Sequence, residues 1–445
     1  MNILVIGNGF DLAHGLPTKY GDFLEFCERA RRIFTFHEDT SLSDYKSKNI
    51  DNWDMNDYIK NALLDAFKNR NCNPNSVRVS NKALEELYTH IRQNAWLEYF
   101  LKCRSFVGEN WIDFESEISR VIQALDAARQ IMEKEKDINK LSANQTKIII
   151  KIVEGMIRDN GRCWNVKEVL GNKDNLNKLI GVLESDLNRL IRAFEIYLCE
   201  FVEKVYIQKK SPNIDELEVD FILSFNYTHI FSTIYEISEK SKREGEDPFD
   251  YIHGEAVINN TIGTDTMVLG IDEYLSKKKR NKEIEFIAFK KYYQRIHKGT
   301  GCKYKDWVNQ IKNEYYESME TINEYIEKRK IAKQEENTPK VYKWNMKIRE
   351  IEEEKIRHNL YIFGHSLDIT DKDILRDLIL NDNVYTTIYY HKTYDDNGKD
   401  DNGRIDLGSK IANLVKIIGQ DELIRRTGGS TKTIEFRLQQ DMVEI

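Results

Sequence analysis

Four short polar motifs each follow an apolar run of the chain, and their residue types suit the binding and cleavage of a nucleotide. They are Gly7-Asn8-Gly9, Ser224-Phe225-Asn226-Tyr227-Thr228, His253-Gly254 and Gly364-His365-Ser366-Leu367-Asp368. Glycine turns let backbone amides approach a phosphate, while an amide and an imidazole can orient and deprotonate a hydroxyl or a water. The order of the four motifs is more specific than any one of them.

The first motif is a glycine turn that directly follows the apolar run Ile3 to Ile6. A strand that ends in small residues and opens a helix brings backbone amides and a helix N-terminus close to a phosphate. The usual dinucleotide fingerprint is incomplete, because position 12 is leucine where a third glycine would stand. The nucleotide contacts expected from this region are Gly7, Asn8, Gly9, Phe10, Gly15 and Thr18.

The second and third motifs supply the catalytic candidates. Polar side chains at the carboxyl end of a parallel strand face the crevice where ligands bind, which favours Asn226 as a site residue. Capping of the next helix is an equally good explanation of Asn226. His253 suits proton transfer near neutral pH, although a lone histidine is more often structural. We therefore expect Asn226 and His253 to be catalytic, with Asp11 as a carboxylate near the sugar.

The fourth motif offers amide and hydroxyl donors after the apolar run Leu360 to Phe363. The alternative is a tight turn in which Asp368 or Asp371 caps the following helix. Together with the second motif, this turn completes the expected set of nucleotide contacts. The additional members are Ser224, Thr228, Gly364, His365 and Ser366.

Two further segments could carry chemistry of another kind. Phe289 to Lys298 mixes cations with aromatic rings, a composition that suits nucleic acid. In NWIDFESEIS (110–119), the acids Asp113, Glu115 and Glu117 could hold a metal. On a helix, however, side chains two residues apart point in different directions. Packing of Trp111 and Phe114 on one helix face, with solvated acids elsewhere, is the simpler interpretation. We expect no metal site.

The elements that must position these motifs indicate an α/β fold. Strand-like runs recur at 220–226, 251–254, 267–272, 360–366, 384–390 and 433–438, and all should join residues 3–6 in one Rossmann-like parallel sheet. Between them, three- and four-residue apolar spacing predicts helices. The predicted core is 1–21 plus 215–275 plus 358–445, with a large helical insertion at 22–214 and a charged helical insertion at 276–357.

The composition excludes several classes of protein. The formal charge of -7 gives no global basic field for polyanion binding, so any contact with nucleic acid would be local. The six cysteines form no Cys-x-x-Cys pair, which favours reduced thiols in the cytoplasm. No segment approaches the roughly 18 uninterrupted apolar residues of a membrane span. The sequence therefore predicts a cytoplasmic protein without a membrane partner.

The opening MNILVIGNGFDLAHGLPTKYGDFL resembles that of AbiH-type abortive-infection proteins, and FNYT, IHG and FGHSLD follow in that family's order. NWIDFESEIS resembles a further motif of the family. These matches are local but spread over the chain. The resemblance implies defence against bacteriophage, with a phage-derived trigger and self-association as expected partners.

The same motifs also resemble the wider sirtuin superfamily, whose Rossmann sheet holds NAD. That resemblance implies that Asn226 positions a water or ribose hydroxyl and that His253 is the base. Thr228 stands where sirtuins have an aspartate that binds nicotinamide, and Lys19 and Tyr20 replace a phenylalanine and an arginine after the glycine-rich turn. The four-cysteine zinc module is also missing, so protein deacylation is disfavoured.

We therefore expect cleavage of NAD, or a related nucleotide, at its N-glycosidic bond. NAD would be the substrate or ligand, and no cofactor would be required. Two alternatives stay open: a nucleotide-binding switch without catalysis, and an effector that targets nucleic acid.

Overall fold

Six strands form one parallel sheet in the computed structural model. It describes residues 1–35, 41–47, 55–73, 76–107, 113–134, 140–155, 165–238, 247–272, 284–354, 357–393 and 401–445. The strands are β1 (Asn2–Ile6), β2 (Phe221–Ser224), β3 (Phe249–Tyr251), β4 (His358–Phe363), β5 (Val384–Tyr390) and β6 (Ile434–Leu438). Their order is β3-β2-β1-β4-β5-β6, and every neighbouring pair is parallel. The prediction of a Rossmann-like sheet is confirmed.

The strand order reverses between β1 and β4, the position at which doubly wound sheets bind ligands. Neighbouring carboxyl ends are level there, because Ile6 pairs with Ser224 on one side and with Phe363 on the other. Alternate residues of β1 face opposite sides of the sheet. Leu4 and Ile6 enter one apolar core, and Ile3 and Val5 enter a second one. Burial on both faces explains the continuous apolar run of this strand.

The helices cover both faces of the sheet and fill the two long connections. The connection from β1 to β2 is helical as predicted, and its buried side chains share the first core with Leu4 and Ile6. No described helix is both long and apolar enough to cross a membrane. The helices are α1 (Asn8–Ala13), α2 (Tyr20–Thr35), α3 (Leu42–Ser47), α4 (Asp57–Lys68), α5 (Lys82–Ile91), α6 (Ala95–Val107), α7 (Phe114–Lys134), α8 (Ala143–Glu154), α9 (Val166–Gly171), α10 (Lys173–Tyr197), α11 (Pro212–Asp215), α12 (Ile230–Ile234), α13 (Lys291–Lys298), α14 (Tyr304–Gln334), α15 (Thr338–Glu354), α16 (Lys372–Ile379), α17 (Arg404–Ile418) and α18 (Gln420–Thr427).

One predicted strand is wrong. Residues 267–272 form no strand and contribute only an isolated parallel bridge between Ile271 and Lys290. The side chain of Gln294 donates to the carbonyl of Leu269 and accepts from its amide, at 3.1 and 3.0 Å. The Val268 and Ile271 amides donate to the carbonyls of His253 and Phe289. Because these irregular partners satisfy backbone groups that a strand would use, the segment has no need of a sheet neighbour.

The turns that follow β1 and β4 are in direct contact. The Gly9 amide donates to the Gly364 carbonyl at 2.8 Å. A Cβ on Gly9 would lie 2.7 Å from that same oxygen. Gly364 has a φ of +67°, and a Cβ there would lie 2.2 Å from the amide nitrogen of Phe10. Only residues without a Cβ allow this approach and this backbone conformation.

Substitution of Gly9 by alanine should therefore destabilise the fold. We expect Gly9→Ala to lower the free energy of unfolding by about 1–3 kcal/mol, since one turn must move away from the other. The matched control is Gly21→Ala in α2, where an added Cβ meets open space. That control should be neutral or stabilise by up to about 1 kcal/mol. Urea unfolding compares the variants, and equal stability of the two would contradict the close contact.

Candidate functional site

Asn226 and His253 follow the adjacent strands β2 and β3 at the carboxyl edge of the sheet. β2 and β3 pair Ser224 with Tyr251, and the Ile252 amide continues the ladder by donating to the Ser224 carbonyl at 2.8 Å. Asn226 and His253 each lie two residues past the end of their strand, so this register brings their backbones to corresponding positions on neighbouring segments. Both side chains are buried, with exposed fractions of 4% and 8%.

A carboxylate on α1 fixes the orientation of the Asn226 amide. One oxygen of Asp11 accepts from Asn226 Nδ2 at 3.0 Å, and the other accepts from Thr228 Oγ1 at 2.8 Å. With Nδ2 held this way, Asn226 Oδ1 is left buried without a hydrogen-bond partner. The Ser224 hydroxyl also accepts from the backbone amide of Asn226 at 3.1 Å. The arrangement thus presents a fixed acceptor.

Burial raises the pKa of Asp11 to about 7. The hydrogen bonds from Thr228 and Asn226 oppose this shift, and the nearby charge of Glu203 adds to it. The charge of Asp11 therefore changes near neutral pH. Because the ionised form accepts from both neighbours, it is the form that matches the observed hydrogen bonds.

His253 faces a carboxylate that two histidines share. Its Nε2 lies 3.8 Å from Asp371 Oδ1, and His365 Nε2 lies 3.4 Å from Asp371 Oδ2. His365 Nδ1 accepts from the Leu367 amide at 2.9 Å, so its proton resides on Nε2 and is directed at Asp371. His253 Nδ1 is buried without a hydrogen-bond partner. Asp371 thus faces Nε2 of His253 and leaves Nδ1 to a ligand.

Burial and nearby charges keep the imidazole of His253 neutral. Burial, and after it the positive charge of Lys291, lower the pKa of His253 to about 3 against the opposing charge of Asp371. Burial would raise the pKa of Asp371, but the hydrogen bond from His365 and the positive charge of Lys291 oppose it, and the pKa lies below its ordinary value. A neutral imidazole with a carboxylate on its Nε2 side can accept a proton at Nδ1, but a general base needs a pKa nearer the working pH than that of His253 in this arrangement.

Asp371 was missed by sequence reasoning, which proposed it only as a helix cap. Asp368 is the residue that caps, because its side chain accepts from the Thr370 amide at 3.0 Å. Asp371 makes no such cap and turns towards the histidines instead. Its position six residues after His365 carries no recognised motif, so only the fold reveals the contact.

The expected nucleotide contacts fall into separate groups. Gly7, Gly9, Gly364 and His365 lie together in the two contacting turns. Asn8 accepts from the Thr18 hydroxyl at 2.6 Å, next to this contact along the chain.

Three others lie elsewhere. Phe10 is fully buried among the rings of Phe231, Tyr235 and Phe363. Ser366 is exposed, and Gly15 has a φ of +79° with open space around it.

The acidic residues of the motif at 110–119 contact different partners. Asp113 accepts from the Glu115 amide and the Ser116 hydroxyl at the start of α7. Glu117 accepts from Tyr99, and Glu115 pairs with Lys291. The three acids therefore do not converge on one metal position. Phe114 is buried in the core, and Trp111 lies outside the described residues.

A family model described as Bacteriophage abortive infection AbiH matches residues 3–391. The match includes all four motifs and the helical segments between them. The chain matches no curated protein and no solved structure.

The raised pKa of Asp11 predicts a pH-dependent stability. The unfolded chain loses this proton near pH 4 and the folded protein near pH 7, so the stability that the group contributes is present at low pH and lost as pH rises through 7. Between pH 5 and pH 8, the wild type should lose roughly 2–3 kcal/mol relative to Asp11→Asn. Urea unfolding at both pH values measures this difference.

The control for that experiment is Asp65→Asn, which removes an exposed carboxylate on α4. It should show no such change relative to the wild type. A constant difference between Asp11→Asn and the wild type across the same range would mean that Asp11 does not titrate there.

Proposed function

The chain belongs to the AbiH family of bacteriophage abortive infection proteins, and on that basis we propose that it defends cells by hydrolysing the N-glycosidic bond of NAD or a related nucleotide. One observation supports this proposal most directly. Asn226 Oδ1 and His253 Nδ1 are both buried and lack a hydrogen-bond partner, and they follow the adjacent strands β2 and β3 at the carboxyl edge of the sheet.

Unpartnered polar atoms inside a protein are costly, by about 1–3 kcal/mol each. A native structure keeps them where a ligand or a catalytic role requires them. Both atoms accept hydrogen bonds, since one is an amide oxygen and the other is the lone pair of a neutral imidazole. The chemistry that suits two acceptors at this edge of the sheet is a pair of hydroxyl donors, such as a ribose hydroxyl and a water.

The proposed reaction uses these acceptors in turn. Asn226 Oδ1 accepts from a ribose hydroxyl or from the attacking water and so orients the sugar. His253 Nδ1 takes a proton from the water as its oxygen bonds to C1′ of the ribose and the bond from C1′ to the base nitrogen breaks. With NAD, the bonding electrons leave with nicotinamide, and ADP-ribose and one proton are the other products. Asp371, facing Nε2, stabilises the imidazolium that forms.

Asp11 has a positioning role in this scheme. Asn226 and Thr228 occupy its two oxygens, so it acts on the sugar through the Asn226 amide. The resemblance to sirtuins supports the same pair of catalytic residues. Thr228, where sirtuins carry an aspartate, donates here to Asp11, so the nicotinamide contact of sirtuins is not reproduced by this residue.

A nucleotide switch without turnover is the second candidate. The observation that favours it is the departure at Thr228, which donates to Asp11 and does not supply the carboxylate that sirtuins direct at nicotinamide. Nucleic-acid binding by the segment 289–298 has less support. Phe289, Lys290 and Lys291 are buried, which removes them from any surface that a strand of nucleic acid could reach.

Loss of either catalytic candidate should abolish nucleotide depletion. In cells challenged with phage, we expect NAD to fall with the wild type and to stay constant with His253→Ala or Asn226→Ala, because removal of a general base costs about 10²–10⁴-fold in rate. Mass spectrometry of cell extracts measures NAD and ADP-ribose. The exposed His297 provides the control, since His297→Ala should deplete NAD as the wild type does.

Defence that survives both substitutions would refute the catalytic proposal. Defence that is lost with His253→Ala, while NAD stays constant even with the wild type, would favour a different nucleotide or the switch.

A further inference from the structure

A buried ion pair joins the two inserted segments beside the candidate site. Lys291 Nζ lies 2.6 Å from Glu115 Oε2, and the side chains are only 9% and 21% exposed. Glu115 belongs to the first turn of α7, in the connection from β1 to β2. Lys291 is the first residue of α13, in the connection from β3 to β4. Neither residue comes from the sheet itself.

The backbone around each partner is held in place. The Lys291 amide donates to the Ile271 carbonyl at 2.9 Å. Gln294, one turn further along α13, donates to the carbonyls of Leu269 and Ala288. On the other side, Asp113 accepts from the Glu115 amide at 3.0 Å. The pair therefore joins two anchored helix starts.

Backbone hydrogen bonds tie the start of α13 to the site through the segment 268–271, to which the Lys291 amide is hydrogen-bonded. The Val268 amide donates to the His253 carbonyl at 2.7 Å, and the Tyr227 hydroxyl donates to the Val268 carbonyl at 2.9 Å.

Both partners also act electrostatically on the site. The charge of Lys291 bears on His253 and on Asp371. The charge of Glu115 bears on Tyr227, whose ring centroid lies 6.3 Å from that of His253. Tyr227 stands between Asn226 and Thr228 in the chain. The charges of Lys291 and Glu115 therefore act on residues next to His253 and next to Asn226.

We infer that Glu115 and Lys291 are positioning residues of this site, each supplied by a segment inserted between strands of the sheet, and that their pair fixes the start of α13, and with it the positive charge of Lys291, beside His253. Any effect of the pair on turnover rests on the function proposed above. The effect of the ion pair on the titration of His253 does not depend on that function.

The physical argument concerns the charges that surround the imidazole. Asp371 favours the protonated form of His253, while Lys291, Arg295 and His365 disfavour it. Glu115, Asp371 and Asp272 face the ammonium of Lys291. Burial raises the pKa of Glu115 to about 7, and the charge of Lys291 opposes this shift. With Glu115 as an anchor, the ammonium is held beside the site and does not neutralise Asp371 by direct contact.

The test is a titration of His253 by NMR in the full-length chain labelled with ¹⁵N-histidine. The signal is identified by its loss in His253→Gln. In the wild type we expect the imidazole to stay neutral down to pH 5. In Lys291→Met its pKa should rise by about one to three pH units, because a nearby positive charge has been removed. Lys291→Arg should restore the behaviour of the wild type.

The same helix offers a matched control. Lys298 also forms a buried pair, with Asp265, seven residues further along α13. Lys298→Met removes a cation and breaks a buried pair in the same way, and it should leave the titration of His253 unchanged. An unchanged titration in Lys291→Met, or an equal rise in Lys298→Met, would overturn the inference.

A second variant allows for the loss of folding. Removal of one partner leaves an uncompensated buried charge, which is strongly destabilising, whereas removal of both partners is tolerated better. If Lys291→Met does not fold, the double variant Glu115→Gln with Lys291→Met is titrated instead, with the same expected rise and the same criterion for failure.

Measurement of NAD cleavage separates this inference from the proposed function. A shifted His253 titration without any NAD cleavage by the wild type would sustain the positioning role and remove the proposed reaction. NAD cleavage by the wild type, with an unshifted His253 titration in Lys291→Met, would support the proposed reaction and remove the positioning role.

Discussion

The hydrogen bond from the Gly9 amide to the Gly364 carbonyl is the contact on which the site depends. It requires two glycines, because a Cβ on either would collide with the backbone of the other turn. Asp11 follows Gly9 by two residues, and His365 follows Gly364 directly. One backbone contact therefore sets the distance between the part of the site that holds Asn226 and the part that holds Asp371.

Burial favours the protonated form of both Asp11 and Asp371, but the net pKa shifts of the two groups are opposite. Burial raises the pKa of Asp11 to about 7, whereas Asp371 stays ionised because a histidine hydrogen bond and nearby cations outweigh the same desolvation. Sites in which similar groups have been given different protonation states are typical of acid–base catalysis. The contrast between Asp11 and Asp371 gives each a separate part: Asp11 orients an amide, and Asp371 supports an imidazole.

The inserted segments are part of the same packing unit as the sheet. Leu4 and Ile6 of β1 share one apolar core with the helices of the first insertion, and Ile3 and Val5 share the other with α14, α16 and α17. This common core explains how two helix starts can deliver Glu115 and Lys291 to the edge of the sheet. A segment tethered only by loops could not hold a buried ion pair there, since both charges would have to be desolvated without fixed partners.

The sequence by itself determined the elements and the local motifs. Apolar runs predicted five of the strands that join β1. The glycine, asparagine and histidine motifs that follow such runs predicted the turns after four strands of the sheet. Both kinds of prediction succeed because strand burial and turn geometry depend on neighbouring residues. The segment 267–272 misled this reasoning, since a side chain distant in sequence, Gln294, satisfies its backbone. Asn226 and His253 could likewise be selected as candidates from their positions at strand ends.

Only the tertiary structure decided which side chains meet. The contact of Asp371 with His253, the contact of Asp11 with Asn226 and Thr228, and the pairing of Glu115 with Lys291 all join residues that lie far apart in the chain. No periodicity or motif encodes such contacts, because they depend on strand order and on how the helices pack over the sheet. Tertiary packing also fixes the burial of each group, and with it the protonation state.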